Sequence, residues 1–180
     1  MRICVFLSSK EGLPESYQQA ARDVATWMGQ NGHTLVYGGS HNGLMEILAS
    51  TARKAGADVI GVAPQVLVDR NWLSDSCTTT FFTADLSDRK ATLMRESNLF
   101  LALPGGIGTL DEVFTVLAAR MLEGYRPRVV LYNVDHCWDS LLALLADLHA
   151  HGVVSTSPEE TVSVVSSVGE LADIVAAEQS

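Results

Sequence analysis

The sequence is short of positive charge, with 12 lysine and arginine residues against 21 aspartates and glutamates, and its formal net charge is −9 at pH 7. A nucleic-acid polymer or an anionic membrane needs a field of basic side chains to bind it. We therefore expect neither as a partner, and any anion that the protein binds is expected to be small and held locally.

Cysteine is also scarce. Cys4, Cys77 and Cys137 are odd in number, far apart and without C-x-x-C spacing. This pattern disfavours a disulfide framework and a zinc site. We expect free thiols in a reducing compartment, no metal site and no cofactor.

Long apolar runs are missing as well, since no segment approaches the roughly 18 uninterrupted apolar residues typical of a membrane helix. The apolar stretch that follows Met1 is too short for a signal-peptide core. A cytoplasmic protein is the expectation. With 180 residues, of which 47% are hydrophobic, the chain can bury the core of one domain, and residues 1–180 are predicted to form it.

Short apolar runs alternate with longer segments of helical periodicity. The predicted strands are Ile3–Leu7, Thr34–Tyr37, Val59–Val62, Thr79–Thr83, Leu99–Leu103, Val129–Tyr132 and Val162–Val165. The predicted helices are Glu15–Gln30, Gly43–Ala55, Asp88–Ser97, Leu110–Glu123, Trp138–Ala150 and Gly169–Ala177. Several of the strands are apolar on both faces, which is typical of a buried parallel sheet. The alternation predicts a single-domain, doubly wound α/β fold with helices on both faces of a parallel sheet.

Small ligands of such sheets bind beyond the carboxyl ends of the strands, near the point where the strand order reverses. Three loops of unusual composition follow predicted strands: "LSSKEG" after the first, "YGGSHNG" after the second and "LPGGIGT" before an acidic helix. These loops form the candidate site.

The third loop has the composition of a phosphate cradle. Gly105, Gly106 and Gly108 allow positive φ angles and a close approach of the backbone to a ligand. Their N–H groups, together with those of the helix start, can converge on phosphate oxygens. The loop lacks the Lys-Ser/Thr ending of a P-loop, and the first strand lacks a dinucleotide fingerprint.

Two adjacent carboxylates, Asp111 and Glu112, follow this loop. One interpretation is a capping box in which Thr109 caps the helix and Glu112 returns the hydrogen bond. Carboxylates repel a phosphate, however, so their presence is better explained if one of them acts on the sugar attached to that phosphate. Either Asp111 or Glu112 fits this role.

A second segment, "SDRKATLM", supplies positive charge. It places Arg89 and Lys90 near the start of a helix, after a Ser-Asp pair that is able to cap it, where cations oppose the helix dipole. The planar guanidinium of arginine binds phosphate or carboxylate through two hydrogen bonds at once, so Arg89 is the main candidate anion ligand. The alternative is a salt bridge to a surface acid.

On these residues the sequence resembles the LOG family of cytokinin riboside 5′-monophosphate phosphoribohydrolases, also described as lysine decarboxylase-like. The family pattern P-G-G-x-G-T-x-x-E is matched from Pro104 to Glu112, and the family's upstream R-K motif resembles Arg89-Lys90. The segments "VYGGSHNGLM" and "YNVDHCWDSLL" are similar to family segments too, so the resemblance extends from Ile3 to about Val154.

The resemblance implies a Rossmann-like fold, a homodimer or higher homo-oligomer, and hydrolysis of the bond between a base and ribose 5′-phosphate in a small nucleotide substrate. It also implies Arg89 and Glu112 as the catalytic pair. The candidate substrate-binding and phosphate-binding residues are Ser8, Gly39, Lys90, Gly105, Gly106, Ile107, Gly108, Thr109 and Asp111. The sequence departs from the family pattern at Ser40, His41 and Glu46.

Two other functions are weighed. A pyridoxal phosphate decarboxylase needs a Schiff-base lysine, and it is disfavoured because Lys10 and Lys54 lie in segments without site character while Lys90 belongs to the R-K motif. A non-enzymatic nucleotide-binding or cofactor-carrier protein of the same fold stays open, and it would need the glycine loop but not Glu112.

Three further residues are assigned from their positions alone. Glu46 lies at a helix start, and its predicted role is to complement the helix dipole; recognition of the substrate is the less favoured alternative. His41 lies in the second glycine loop and is the one histidine considered for contact with a ligand. Trp72 is expected in the core or in a dimer surface.

Overall fold

Within residues 1–122 and 127–179, which the computed structural model describes, seven strands alternate with eight helices and one 3-10 turn, Val134–His136. The strands are β1 Arg2–Phe6, β2 Thr34–Tyr37, β3 Val59–Pro64, β4 Thr79–Thr83, β5 Leu99–Ala102, β6 Arg128–Tyr132 and β7 Ser163–Val165. The helices are α1 Glu15–Gln30, α2 Gly43–Lys54, α3 Gln65–Asp69, α4 Leu86–Arg95, α5 Ile107–Leu122, α6 Asp139–Ala150, α7 Pro158–Thr161 and α8 Val168–Ala177.

All seven strands form one parallel sheet in the order β4-β3-β2-β1-β5-β6-β7. At its centre Ile3 of β1 lies between Leu35 of β2 and Leu99 of β5. The strand order reverses between β1 and β5, which creates the switch point where α/β sheets bind their ligands. The predicted fold class is confirmed.

The helices cover both faces of the sheet because consecutive side chains of a strand point to opposite faces. In β1, Ile3 and Val5 are buried with side chains of α1, α2 and α8, whereas Cys4 and Phe6 are buried with side chains of α4, α5 and α6. The sheet is thus apolar on both sides, as the sequence predicted for buried parallel strands.

Two helix starts differ from the prediction by two or three residues. Helix α5 begins at Ile107, and the amide of Leu110 already donates to the carbonyl of Gly106 at 3.0 Å. The capping box on Thr109 is therefore wrong, because the glycines themselves form the first turn. Helix α4 begins at Leu86 and is capped by the Asp85 side chain, so the predicted Ser-Asp cap is also wrong.

The remaining differences are small. The short helices α3 and α7 were not predicted, and they have four or five residues each, too few to show a helical period. The predicted helix that corresponds to α5 ends at Glu123, which lies outside the described residues.

Candidate functional site

A cavity of about 650 Å³ lies at the carboxyl ends of β1, β2, β3 and β5, beside the switch in strand order. All three loops that the sequence singled out contribute to its lining, with Ser8 from the first, Ser40 from the second and Gly106 from the third. The first and third loops are joined directly, since the amide of Ser8 donates to the carbonyl of Pro104 at 3.1 Å.

Arg89 and Glu112 meet in this cavity. Nη1 of Arg89 on α4 lies 3.0 Å from Oε1 of Glu112 on α5, and the two side chains are only 15% and 7% exposed. Nε of Arg89 also donates to the carbonyl of Val62 at 3.2 Å, which fixes the plane of the guanidinium. A hydrogen-bonded, largely buried pair of this kind has a defined geometry that solvated surface pairs lack.

Gly38 provides the space for that guanidinium. A Cβ atom built on Gly38 would collide with Nη2 of Arg89 and would lie 3.2 Å from Cε of Met45. A side chain here would displace the guanidinium, so the glycine allows a close approach and does not serve an unusual φ angle. The second loop thus positions the arginine of the fourth helix.

Burial raises the pKa of Glu112 above its ordinary value, and the nearby charge of Asp111 acts in the same direction. The charge of Arg89 opposes the shift without cancelling it. A carboxylate with a raised pKa is a better proton acceptor than a solvated one. Glu112 is therefore placed both to oppose a developing positive charge and to accept a proton.

The glycine loop differs from its predicted geometry in one respect. Gly105, Gly106 and Gly108 do not adopt positive φ angles, so that part of the prediction is wrong. Gly105 is packed against the Thr109 side chain, which a Cβ atom would strike. Gly106 and Gly108 line the cavity with open space beside them, so a ligand can approach the backbone at the start of α5.

Lys90 and Asp111 form a second ion pair between α4 and α5. Nζ of Lys90 lies 2.9 Å and 3.0 Å from the two carboxylate oxygens of Asp111. Neither residue lines the cavity that contains Arg89 and Glu112. The two adjacent acids, which sequence reasoning left as alternatives, are therefore separated, with Glu112 inside the cavity and Asp111 outside it.

The other sequence candidates divide in the same way. Thr109 lines the cavity, whereas the side chain of Ile107 is exposed to solvent. Gly39 has a φ angle of +77° and lies against β3. Its carbonyl accepts a hydrogen bond from the amide of Ser74, which follows β3 in the chain. In the second loop Ser40 lines the cavity, and its neighbour His41 does not.

Sequence reasoning missed several residues of the cavity wall. Lys10 and Glu11 line it. Both belong to the first candidate loop, "LSSKEG", but neither was named as a candidate, and the prediction that Lys10 lies in a segment without site character is wrong. Trp72, which was expected in the core or a dimer surface, also lines the cavity. It belongs to an apolar wall formed by Met45, Pro64, Val66, Leu67, Trp72 and Leu86. The available signal was position, since these segments follow the carboxyl ends of β1 and β3 or begin α2 and α4.

Among the described residues, no group of three or more histidine, cysteine, aspartate or glutamate side chains is arranged to hold a metal ion. A search of the same residues for a helix long and apolar enough to cross a bilayer finds none.

Comparison with protein families gives a match to the model described as "Possible lysine decarboxylase" over residues 45–175. The chain is 36% identical over 170 residues to cytokinin riboside 5′-monophosphate phosphoribohydrolase LOG4 of Arabidopsis thaliana, which covers 94% of this chain and 79% of that protein. It is 34% identical over 172 residues to the probable cytokinin riboside 5′-monophosphate phosphoribohydrolase LOGL3 of Oryza sativa subsp. japonica, with 96% and 82% covered.

Solved structures show the same fold at lower sequence identity. The molybdenum cofactor binding protein of Rippkaea orientalis is 22% identical with a TM-score of 0.76, and the alignment covers 99% of this chain and 97% of that one. The molybdenum cofactor carrier protein of Chlamydomonas reinhardtii is 22% identical with a TM-score of 0.72 and the same coverage. At this identity the likeness concerns the fold alone.

Proposed function

The chain belongs to the lysine decarboxylase-like LOG family, and from this premise we propose that it hydrolyses the N-glycosidic bond of a nucleoside 5′-monophosphate to free base and ribose 5-phosphate. The observation that carries the proposal is the buried pair of Arg89 and Glu112 in the cavity at the switch point. A carboxylate opposed by one fixed arginine, beside an anion-binding helix start, matches the needs of a sugar cation attached to a phosphate.

The 5′-phosphate would bind at the start of α5. Backbone N–H groups of the first helical turn have no partner within the helix, and Gly106 and Gly108 leave them accessible from the cavity. Ser8 lies beside them on the loop that follows β1. Lys10 supplies positive charge, since none of the ion pairs of the described residues includes it, whereas the charge of Arg89 is balanced by Glu112.

The ribose would then lie against Glu112. As the bond between C1′ and the base nitrogen breaks, the electron pair leaves with the base and positive charge develops on the sugar ring. The Glu112 carboxylate stabilises this charge and accepts a proton from the water whose oxygen bonds to C1′. The base takes up a proton from solvent as it leaves, and Glu112 afterwards returns its proton to solvent, so that one water is added in total. Arg89 holds the carboxylate in place, and phosphate binding fixes the ribose at that point.

The base would contact the apolar wall. Six apolar side chains, Trp72 and Leu86 among them, line the same cavity as the charged pair. Such a surface suits a purine ring and an apolar substituent on it. The named substrates of the curated relatives are cytokinin riboside 5′-monophosphates, and we extend that class, together with AMP-like nucleotides, to this chain.

By family membership, the proposal also includes a homodimer or higher homo-oligomer.

Two alternative functions depend on different residues. A decarboxylase that uses pyridoxal phosphate would depend on Lys10, the lysine in the cavity wall, because Lys90 is bound to Asp111 outside it. A nucleotide or cofactor carrier of the same fold would bind an anion at α5 and have no need of Glu112.

The experiment is a panel of nucleoside monophosphates, including an N6-prenylated AMP, incubated with the purified protein and assayed for free base and ribose 5-phosphate. Release of both products from any member supports the hydrolase. Binding of nucleotides without release of base from any of them supports the carrier and contradicts the proposal.

A further inference from the structure

Glu46 makes contacts that its predicted role at a helix start does not explain. It lies in the first turn of α2 and does not line the candidate cavity. Its Oε2 accepts a hydrogen bond from Oγ of Ser74 at 2.5 Å, and its Oε1 accepts one from Oγ of Ser76 at 2.9 Å. Both oxygens of the carboxylate are therefore directed at a segment between β3 and β4.

That segment, residues 70–78, carries Trp72 and is here named the Trp72 loop. Two backbone hydrogen bonds, which together make one antiparallel bridge, attach it to the second glycine loop. The amide of Ser74 donates to the Gly39 carbonyl at 2.9 Å and the amide of His41 donates to the Trp72 carbonyl at 2.9 Å, so that Leu73 is paired with Ser40. The backbone on both sides of Trp72 is thus held by polar contacts, and Glu46 adds two charge-assisted ones.

The side chain of Trp72 is only partly buried. It is 39% exposed, and it forms part of the apolar wall, not of either core cluster. Arg70, which stacks over its ring at 4.8 Å, belongs to the same loop and so cannot anchor it to the rest of the protein. Hydrogen bonds to a charged group are stronger than those between neutral groups. Glu46 is the charged member of the contacts that fix this loop.

We propose that Glu46 is a positioning residue that acts through Ser74 and Ser76 to hold Trp72 in the cavity wall, and thereby sets the affinity for the base half of the substrate. This inference rests on the proposed function for what occupies the cavity. Glu46 touches no substrate itself, and the phosphate end of the cavity, formed by the start of α5 and the loop after β1, is built from other segments.

The kinetic test uses Glu46→Ala, with Ser50→Ala as the matched control. Ser50 lies one turn further along α2 and donates to the backbone carbonyl of Glu46, so its loss perturbs the helix but not the Trp72 loop. For the nucleotide that is cleaved best, Glu46→Ala should raise KM by about tenfold. The two lost hydrogen bonds are within the protein, so only part of their free energy is transmitted to substrate binding. The value of kcat and the affinity for ribose 5-phosphate, which lacks a base, should change little. Ser50→Ala should leave KM close to that of the wild type.

A readout independent of activity comes from fluorine NMR of protein labelled with 5-fluorotryptophan. The chain has three tryptophans, and Trp72→Phe identifies the Trp72 resonance. Glu46→Ala should shift that resonance and leave those of Trp27 and Trp138 in place. Glu46→Gln, which keeps the shape and one acceptor oxygen, should give intermediate values of both KM and shift.

An unmoved Trp72 resonance in folded Glu46→Ala would overturn the inference, and so would equal shifts of all three resonances or a matching loss of ribose 5-phosphate affinity. If Glu46→Ala does not fold, the double variant Ser74→Ala/Ser76→Ala removes the same two hydrogen bonds and is judged by the same readouts. If the wild-type protein cleaves no nucleotide, the proposed function fails. The NMR shift and the affinity for AMP then still decide whether Glu46 positions Trp72.

Discussion

Arg89 and Glu112 lie on different helices, and their side chains meet 3.0 Å apart inside the cavity. Their sequence neighbours, Lys90 and Asp111, form a parallel ion pair outside it. Helices α4 and α5 are thus linked by two ion pairs, one directed into the candidate site and one directed to solvent. This arrangement assigns different roles to residues that the sequence presents as adjacent pairs.

Arg89→Lys should lose most of kcat, by about a hundredfold, although the charge is kept. The fork of Arg89 contacts Glu112 and the Val62 carbonyl at the same time, and a lysine ammonium cannot reproduce both contacts in one plane. Lys90→Arg is the matched exchange on the outer pair and should be tolerated. Steady-state kinetics of both variants on the same nucleotide decides the matter. An active Arg89→Lys beside an inactive Lys90→Arg would reverse the two roles.

Asp111→Asn should keep kcat/KM within about threefold of the wild type, because an exposed ion pair contributes at most about 1 kcal/mol. Its carboxylate is 57% exposed and bound to Lys90. A melting curve and one kinetic series on the purified variant are sufficient. Loss of activity in a folded Asp111→Asn variant would mean that this carboxylate, and not only Glu112, acts on the substrate.

The activity should depend on pH through Glu112. Its pKa is raised above the ordinary value of 4.5 by burial, so it takes up a proton at a higher pH than a solvated glutamate does. Protonation removes the negative charge that faces the sugar cation, and kcat/KM should therefore fall as the pH drops through this raised pKa. The pH profile of the wild type should show an acid limb above pH 4.5. A limb at or below that pH would argue against Glu112 as the group responsible.

Lys10→Arg tests the role that the proposed hydrolase gives to Lys10. In the proposed hydrolase Lys10 supplies positive charge near the phosphate, so Lys10→Arg should remain nearly as active as the wild type. Lys10→Gln should raise KM by about tenfold, because one charged contact to the substrate is lost. A Schiff-base lysine has no such substitute, because arginine cannot form the imine. Nucleotide hydrolysis by both variants is the measurement. Complete inactivity of Lys10→Arg would contradict the role given to Lys10.

The fold could be predicted because its signals are local. Buried strands such as Leu99–Ala102 are apolar on both faces, and the amphipathic helices between them have a clear period. The start of α5 could not be predicted in this way. Glycines and a Thr-x-x-Glu pattern indicate a turn and a cap, whereas the helix in the structure extends back to Ile107, and Gly105 before it packs against Thr109.

The site could be predicted only where one segment carries several of its features. Arg89 and Glu112 were identified from their own motifs, but that they contact each other depends on how α4 and α5 pack. The place of Trp72 in the cavity wall and the role of Glu46 depend on contacts between segments that are distant in sequence. A single sequence contains no local signal for such contacts.

The most direct test of the account compares wild-type protein with Glu112→Gln on the best nucleotide of the panel, with free base and ribose 5-phosphate quantified together. The wild type should release the two products in equal amounts. Glu112→Gln, which nearly preserves shape but removes the charge, should lose hydrolysis by at least about a hundredfold while its affinity for the nucleotide stays within a few-fold. Normal turnover by a folded Glu112→Gln variant, or release of base without ribose 5-phosphate by the wild type, would contradict the account.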